Sequence, residues 1–438
     1  MNVAFHTLGC KVNQYDTQAM LEIFVSAGYT VVPFEDKADV YVVNTCTVTG
    51  TGDRKSMQLA RHLKRLYPDC KLILCGCLAQ KKGAALLTTG ADVILGTQSR
   101  AKVVELLEEC IRTGTPVCDV QPLLPDTPYE PLYITSQSER TRATLKIQEG
   151  CNNRCTYCII PSVRGPIRSR PLRDICTEAT RLSHSGFSEI VLTGIHLSSY
   201  GRDLHDGTSL LDVLRMLQQI PGIQRIRLGS LEPTVATEDF ALEVKRLDKV
   251  CPQFHLALQS GSDSVLRRMK RQYNTSMYSK AVENIRKAFP MAALTTDILT
   301  GFPGETEEEY QQTRDYIQQI GFSRIHVFPY SRREDTPAAV MPGQLTAALK
   351  EQRARELIAL GNEVAASYLA SWQGMETTVL LEAQEDGNWF GYTPEYIRVA
   401  LSSDSELHNG QTVKVRLTDA DGSLMHGIVI PSNGIDIG

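Results

Sequence analysis

Twice along this 438-residue chain, short apolar runs of strand length alternate with amphipathic stretches of helix length. A short Val/Ile/Leu run bounded by turn residues reads as a strand buried on both faces. A helix between two such strands makes them parallel, so the alternation points to an α/β fold. In the first unit, residues 1–118, strands are predicted at 3–7, 30–33, 40–44, 72–75 and 93–95. Helices fall at 13–27, ended by Gly28, at 54–66, ended by Pro68, and at 102–109. The expectation is a parallel α/β sheet covered on both faces. In the second unit, residues 140–372, strands are predicted at 144–148, 189–192, 225–228, 255–258, 294–299 and 324–328. Helices lie between them, and a long one follows at 346–372. Six such strands predict a partial (β/α)6 barrel, with active-site groups at the strand C-termini.

The loop after the first strand of that barrel carries Cys151, Cys155 and Cys158, spaced C-x3-C-x2-C. A cubane iron–sulfur cluster normally takes four thiolates. Three on one loop leave one iron open to a small molecule, as a catalytic zinc site keeps one position open. Zinc itself needs a fourth Cys or His, and the nearest, Cys176 and His184, fall in a stretch that reads as helix. No export pattern and no membrane-spanning apolar run is present, so a cytoplasmic location is expected. There, 12 cysteines point to metal or redox chemistry rather than disulfides. Cys10, Cys46 and Cys77 each follow a predicted strand, and loops after parallel strands gather at one sheet edge. Convergence on one site and burial as separate free thiols both remain open from spacing alone. Cys75 sits inside a strand pattern and reads as core. Cys70, Cys110, Cys118 and Cys251 read as structural.

The run Cys151-Asn152-Asn153-Arg154-Cys155-Thr156-Tyr157-Cys158-Ile159-Ile160-Pro161, then Arg164-Gly165 and Arg168-Ser169-Arg170, resembles the radical S-adenosylmethionine methylthiotransferases. Gly9-Cys10-Lys11-Val12-Asn13, Asn44-Thr45-Cys46 and Gly76-Cys77-Leu78-Ala79-Gln80 resemble the three motifs by which that family binds an auxiliary cluster. The resemblance implies two [4Fe-4S] clusters, a catalytic one on Cys151, Cys155 and Cys158 and a second on Cys10, Cys46 and Cys77. It also implies two S-adenosylmethionine molecules per turnover, one cleaved to a radical and one giving a methyl group. Tyr157, Gly194, Ser230, Glu232, Gln259, Asp297 and Gly301 are the implied cofactor-binding residues; His196 reads as structural. Implied partners are a tRNA anticodon stem-loop, a reductant of flavodoxin or ferredoxin type and a sulfur donor, with no membrane. The motifs look most like the branch that methylthiolates N6-threonylcarbamoyladenosine. Alternatives are N6-isopentenyladenosine in tRNA, a ribosomal-protein aspartate, and a non-enzymatic Fe–S or zinc RNA-binding protein. Asp335 stands where the family usually has Gly.

RNA contact is expected from a basic segment. Arg140, Arg142, Lys146, Arg154, Arg164, Arg168, Arg170 and Arg173 surround a single acid, Glu149. Arg267, Arg268, Lys270 and Arg271 read as the exposed face of a helix. Residues 119–139, with Pro122, Pro125, Pro128 and Pro131, read as a linker or an extended strap between domains. Residues 373–438 show short strands between turns, a small antiparallel β-barrel that resembles the TRAM domain. Its bases are Arg398, Lys414 and Arg416, far fewer than its acids. That balance is a poor footprint for RNA.

Overall fold

The computed structural model describes residues 1–135, 141–402 and 406–431. Arg140, from the basic segment, lies outside the described residues.

The N-terminal domain runs β1 (Asn2–Thr7), α1 (Lys11–Ser26), β2 (Thr30–Val31), β3 (Val40–Thr45), α2 (Gly50–Leu66), β4 (Lys71–Gly76), α3 (Cys77–Lys82), β5 (Val93–Leu95), α4 (Val103–Thr113) and β6 (Val117–Asp119). Its six strands form one parallel sheet in the order β2-β1-β3-β4-β5-β6. Every residue of β3 is buried. Separate apolar clusters cover the two faces, one under α2 and one under α1 and α4. That is why the central strands read as unbroken apolar runs. The short β6 is a finding beyond the sequence expectation, and it spans the boundary placed at 118. The strap beyond it is not a free linker: Leu132 and Ile134 are buried in the main core, and the Tyr129 hydroxyl donates to the Lys146 carbonyl at 3.1 Å.

The central domain begins with β7 (Arg142–Glu149), α5 (Ile160–Arg164), β8 (Arg168–Ser169), α6 (Leu172–His184), β9 (Glu189–Gly194), α7 (Leu210–Gln218), β10 (Arg225–Leu228) and β11 (Ser230–Leu231). It continues through α8 (Glu238–Lys245), β12 (Gln253–Leu256), α9 (Asp263–Arg268), α10 (Thr275–Ala288), β13 (Ala293–Thr300), α11 (Glu307–Ile320), β14 (Arg324–Pro329) and α12 (Ala347–Ala370). Two four-stranded sheets, β10-β9-β7-β8 and β11-β12-β13-β14, supply the six main parallel strands of the partial barrel. Helix α12 lies against β14, and Gly361 makes the approach possible. A Cβ there would stand 2.4 Å from Ile325 Cγ1.

The C-terminal strands β15 (Glu376–Glu385), β16 (Asn388–Tyr392), β17 (Arg398–Ser402), β18 (Thr412–Asp421) and β19 (Leu424–Val429) close into a barrel. Its pairs are antiparallel except β17 with β19, which is parallel. Parity requires this, because five strands in a ring cannot alternate direction all the way round. Among the described residues no helix is long and apolar enough to cross a membrane.

Candidate active site

The cysteine loop leaves β7 through Gly150, whose φ is 72°. A Cβ there would lie 1.8 Å from the Pro166 carbonyl oxygen, so the position admits only glycine. Two backbone bonds fold the loop back on itself: Cys151 N–H donates to Gly165 O, and Cys158 N–H to Cys155 O, both at 3.0 Å. The three thiols face one cavity of about 170 Å³ at the C-terminal ends of the barrel strands.

Tyr157, Ser230, Glu232, Gln259 and Asp297 line that cavity too. Gln259 adopts φ 70°, unusual for a residue with a side chain. It is held there by Gln259 N–H to Asp297 O and Leu299 N–H to Gln259 O, both at 2.8 Å. Gly194 and Gly301 are not among the lining residues. The close approach that each glycine permits is to protein: a Cβ at Gly194 would be 2.9 Å from Gln148 Cβ, and one at Gly301 2.3 Å from Lys350 Cγ. Gln148 in turn accepts from His196 N–H at 2.6 Å and donates to the Gly150 carbonyl at 2.8 Å, beneath the loop.

A polar chain crosses the cavity floor. Glu232 Oε1 accepts from Asn153 Nδ2 at 2.9 Å and from Arg271 Nη2 at 2.8 Å, and Oε2 lies 3.3 Å from His196 Nε2. Arg271 Nη1 donates to Cys155 Sγ at 3.0 Å. Burial pushes the Glu232 carboxyl up, but His196 and Arg271 more than reverse it and hold it below the ordinary range. Arg271 is therefore not an exposed helical residue. Helix α9 stops at Arg268, and Lys270 at φ 56° turns the chain so that the next side chain enters the site. Burial pushes the Cys151 thiol up to about 11 and the Cys158 thiol up to about 12. Ligation by a metal centre would remove those protons. Three thiols on one loop, with a guanidinium aimed at one sulfur, fit three corners of a [4Fe-4S] cubane.

The other three cysteines converge as well. Cys10 caps α1 after β1, Cys46 follows β3, and Cys77 opens α3 after β4. Strands β1, β3 and β4 are neighbours, so the three loops share one edge. Glycine again sets the spacing, since a Cβ at Gly9 (φ 108°) would lie 3.0 Å from Cys46 Sγ. Cys10 is exposed, Cys46 half-buried and Cys77 buried, its thiol pushed up to about 11 by burial. Cys75 is buried in the sheet, its S–H directed at Val43 O at 3.7 Å, as a core residue. Cys77 packs with Ile159 and Val163 of the catalytic loop and α5, so both triads flank one short segment. Among the described residues no three His, Cys, Asp or Glu side chains close around a point suited to a single metal ion. Cys176 and His184 ride on α6, which leaves the zinc alternative without its fourth ligand at the loop. A cubane carries each thiolate on a separate iron and needs a wider spacing than one shared ion.

Half of the basic segment is turned away from any polyanion. Lys146, Arg164, Arg168 and Arg170 are buried. Buried acids meet three of them. Asp16 of α1 accepts from Lys146 at 2.6 Å and from Arg164 at 3.1 Å, and it also binds Arg100. Glu149 binds Lys146 and Arg164, each at 3.0 Å, and Glu178 binds Arg170. Burial pushes Glu149 up, but Arg164, Lys146 and Arg100 override it and hold the carboxyl far below its usual range. Arg164 also donates to Cys77 Sγ at 3.2 Å and to Asn13 Oδ1. Arg142 lies against the stacked rings of Tyr392 and Tyr396, 4.8 and 5.0 Å from their centroids, and pairs with Glu382. Arg154 and Arg173 stay exposed. In the C-terminal barrel, Lys414 and Arg416 both pair with Glu376 at 2.8 Å, and Arg398 lies over Phe390. Asp335, which replaces the family's usual Gly, takes φ 69° and pairs with Lys81 at 3.2 Å. Asp tolerates that conformation better than most residues.

Residues 2–96 match the family model described as Uncharacterized protein family UPF0004, and residues 145–317 match that of the Radical SAM superfamily. The threonylcarbamoyladenosine tRNA methylthiotransferase MtaB of Bacillus subtilis is 40% identical over 424 residues, covering 95% of this chain and 94% of its own length. The tRNA-2-methylthio-N(6)-dimethylallyladenosine synthase of Symbiobacterium thermophilum is 35% identical over 446 residues, covering 98% and 94%. Among solved structures, the radical S-adenosylmethionine methyltransferase TsrM from Kitasatospora setae shares the fold, with a TM-score of 0.57 over 77% of each chain at 14% identity. Identity at this level across nearly the whole length carries the family with it: the chain belongs to the radical S-adenosylmethionine methylthiotransferases, enzymes that work with a [4Fe-4S] cluster and S-adenosylmethionine.

Proposed function

We propose that this chain inserts a methylthio group at C2 of N6-threonylcarbamoyladenosine in tRNA, giving 2-methylthio-N6-threonylcarbamoyladenosine. The observation that carries the reading is the pair of cysteine triads on either side of α5, in a chain 40% identical to a methylthiotransferase named for that nucleoside. Cys151, Cys155 and Cys158 hold the catalytic cluster. Cys10, Cys46 and Cys77 hold a second cluster, from which sulfur is delivered. When bound, the catalytic cluster and S-adenosylmethionine supply a radical that can break an unactivated C–H bond, which acid–base side chains cannot do.

The protein's own part is to bind, orient and exclude water. Tyr157, Ser230, Glu232, Gln259 and Asp297 form the wall for S-adenosylmethionine, while Gly194 and Gly301 let Gln148 and Lys350 buttress that wall from behind. Arg271 joins Glu232 to Cys155, so cofactor wall and cluster loop are fixed to each other. Arg164 fixes Cys77 to the central domain in the same way. Two S-adenosylmethionine molecules are used per turnover, a flavodoxin- or ferredoxin-type protein supplies electrons, and a separate donor renews the sulfur. A tRNA substrate places the work in the cytoplasm.

The test is mass spectrometry of tRNA nucleosides from cells lacking the protein and from complemented cells. The reading expects 2-methylthio-N6-threonylcarbamoyladenosine to vanish and return while its unthiolated precursor does the reverse. A change confined to the isopentenyl analogue overturns the substrate, and no change in either nucleoside overturns the tRNA reading.

A further inference from the structure

With Lys146, Arg164, Arg168 and Arg170 beside the active site buried and Lys414 and Arg416 of the C-terminal barrel paired with Glu376, few of these cations are left to form a contact surface for an RNA backbone. Helix α2 supplies one. Of its 17 residues, Arg54, Lys55, Arg61, His62, Lys64 and Arg65 are basic, and Asp53 alone is acidic. The helix turns Ser56, Ala60 and Leu63 into the sheet. Arg54, Lys55, Arg61, His62 and Arg65 stay exposed on the opposite side, at spacings that stack along one face.

These charges have no internal use. Asp53 is taken by Arg333 of the central domain at 2.8 Å, and Lys64 by Asp92 at 2.7 Å. Among the described residues Arg54 reaches only the Thr51 hydroxyl, at 3.4 Å, and Arg65 the His62 ring, at 2.9 Å. Among the described residues, Arg54, Lys55, Arg61 and Arg65 have no carboxylate at ion-pair distance. Like charges one helical turn apart, as in Arg61 and Arg65, destabilise a helix slightly. The fold gains nothing from this face, whereas a polyanion would neutralise it.

Its position completes the argument. Helix α2 begins at Gly50, four residues past Cys46, and its start is tied to the central domain by Arg333, which donates to Thr47 Oγ1 at 2.6 Å as well as to Asp53. The stripe starts at Arg54, one turn into the helix, and runs for about 17 Å to Arg65. Lys55, Gln58, Leu59, Arg61, His62 and Arg65 form one open surface along it. We propose that the exposed face of α2 binds the phosphate backbone of the tRNA whose modified base enters the active site. This assignment rests on the tRNA reading above. Such contacts position the substrate without reading its sequence.

The experiment measures binding of N6-threonylcarbamoyladenosine-containing tRNA to the full chain across a salt series. It compares the wild type, the quadruple variant Arg54→Gln/Lys55→Gln/Arg61→Gln/Arg65→Gln, and the remote surface control Lys280→Gln. The expected result is a salt slope lower by about 3 and affinity weaker by roughly tenfold or more in the quadruple variant alone. KM for tRNA should rise while kcat at saturating tRNA and S-adenosylmethionine cleavage without tRNA stay unchanged. The single variants Arg61→Gln and Arg65→Gln, each lowering the slope by about 1, carry the test if the quadruple variant does not fold. Wild-type affinity and slope in every variant overturn the assignment to α2. So does a variant that loses binding only to phosphatidylserine vesicles, because the face would then be a membrane contact. A wild-type chain that shows no salt-dependent tRNA binding at all overturns the tRNA reading itself.

Discussion

Arg164 is the side chain on which the buried charge balance turns. It is fully buried and faces Asp16, Glu149 and Cys77 at once. Replacing it with Met leaves two carboxylates with one cation fewer in a dry setting, a loss of about 3–5 kcal/mol in unfolding free energy. Denaturant titration checks this, and Arg164→Lys should recover only part, because an ammonium cannot present the planar fork. Arg271 is different, since it lines the open cavity. Arg271→Gln should leave iron content and folding near wild type yet slow S-adenosylmethionine cleavage roughly tenfold or more, because Cys155 and Glu232 lose the donor that joins them. Iron analysis beside a cleavage assay separates the two effects. Neither role was legible in sequence. Arg164 read as one of several cations awaiting phosphate, and Arg271 as helix surface. Apart from Glu149, the partner acids come from distant segments, Asp16 on α1 for Arg164 and Glu232 after β11 for Arg271, and no local pattern announces them.

At the scale of elements, helix α11 is held by a capping box in which Thr306 and Glu309 satisfy each other's backbone N–H groups. Glu309 also accepts from Arg268 Nη2 at 2.7 Å and from Ser264. Hydrogen bonding from Arg268 lowers its carboxyl to about 2, from an ordinary value of 4.5. The stabilisation from that depressed value is in place above 4.5 and is lost as pH falls through about 2. Glu309→Gln should therefore lower Tm at neutral pH and converge with wild type near pH 2, a difference that thermal melts across pH will show. The element pattern itself was readable, and α11, Glu307–Ile320, lies between the strands predicted at 294–299 and 324–328. The elements missed were short: α3, α5, β6, β8 and β11 have too few residues to display a period.

At the scale of the whole molecule, the N-terminal and central domains are joined by buried charge and by the Tyr15 hydroxyl, which donates to Glu178 at 2.9 Å across the boundary. The two triads then sit on one rigid frame. Exchanging Cys151, Cys155 and Cys158 for Ala together should halve the iron bound, to about four atoms, and abolish S-adenosylmethionine cleavage. Iron content equal to wild type would place all the iron on Cys10, Cys46 and Cys77. The sequence by itself determined the order of strands and helices, the open cysteine loop and the β-rich C-terminus, because each is set by local periodicity or spacing. Tertiary structure alone decided that Cys10, Cys46 and Cys77 share an edge. It also turned Arg164, Arg168 and Arg170 inward and left the basic face of α2 outward. Those outcomes depend on which distant acids and strands come together, and a charge read along the chain carries no record of its partner.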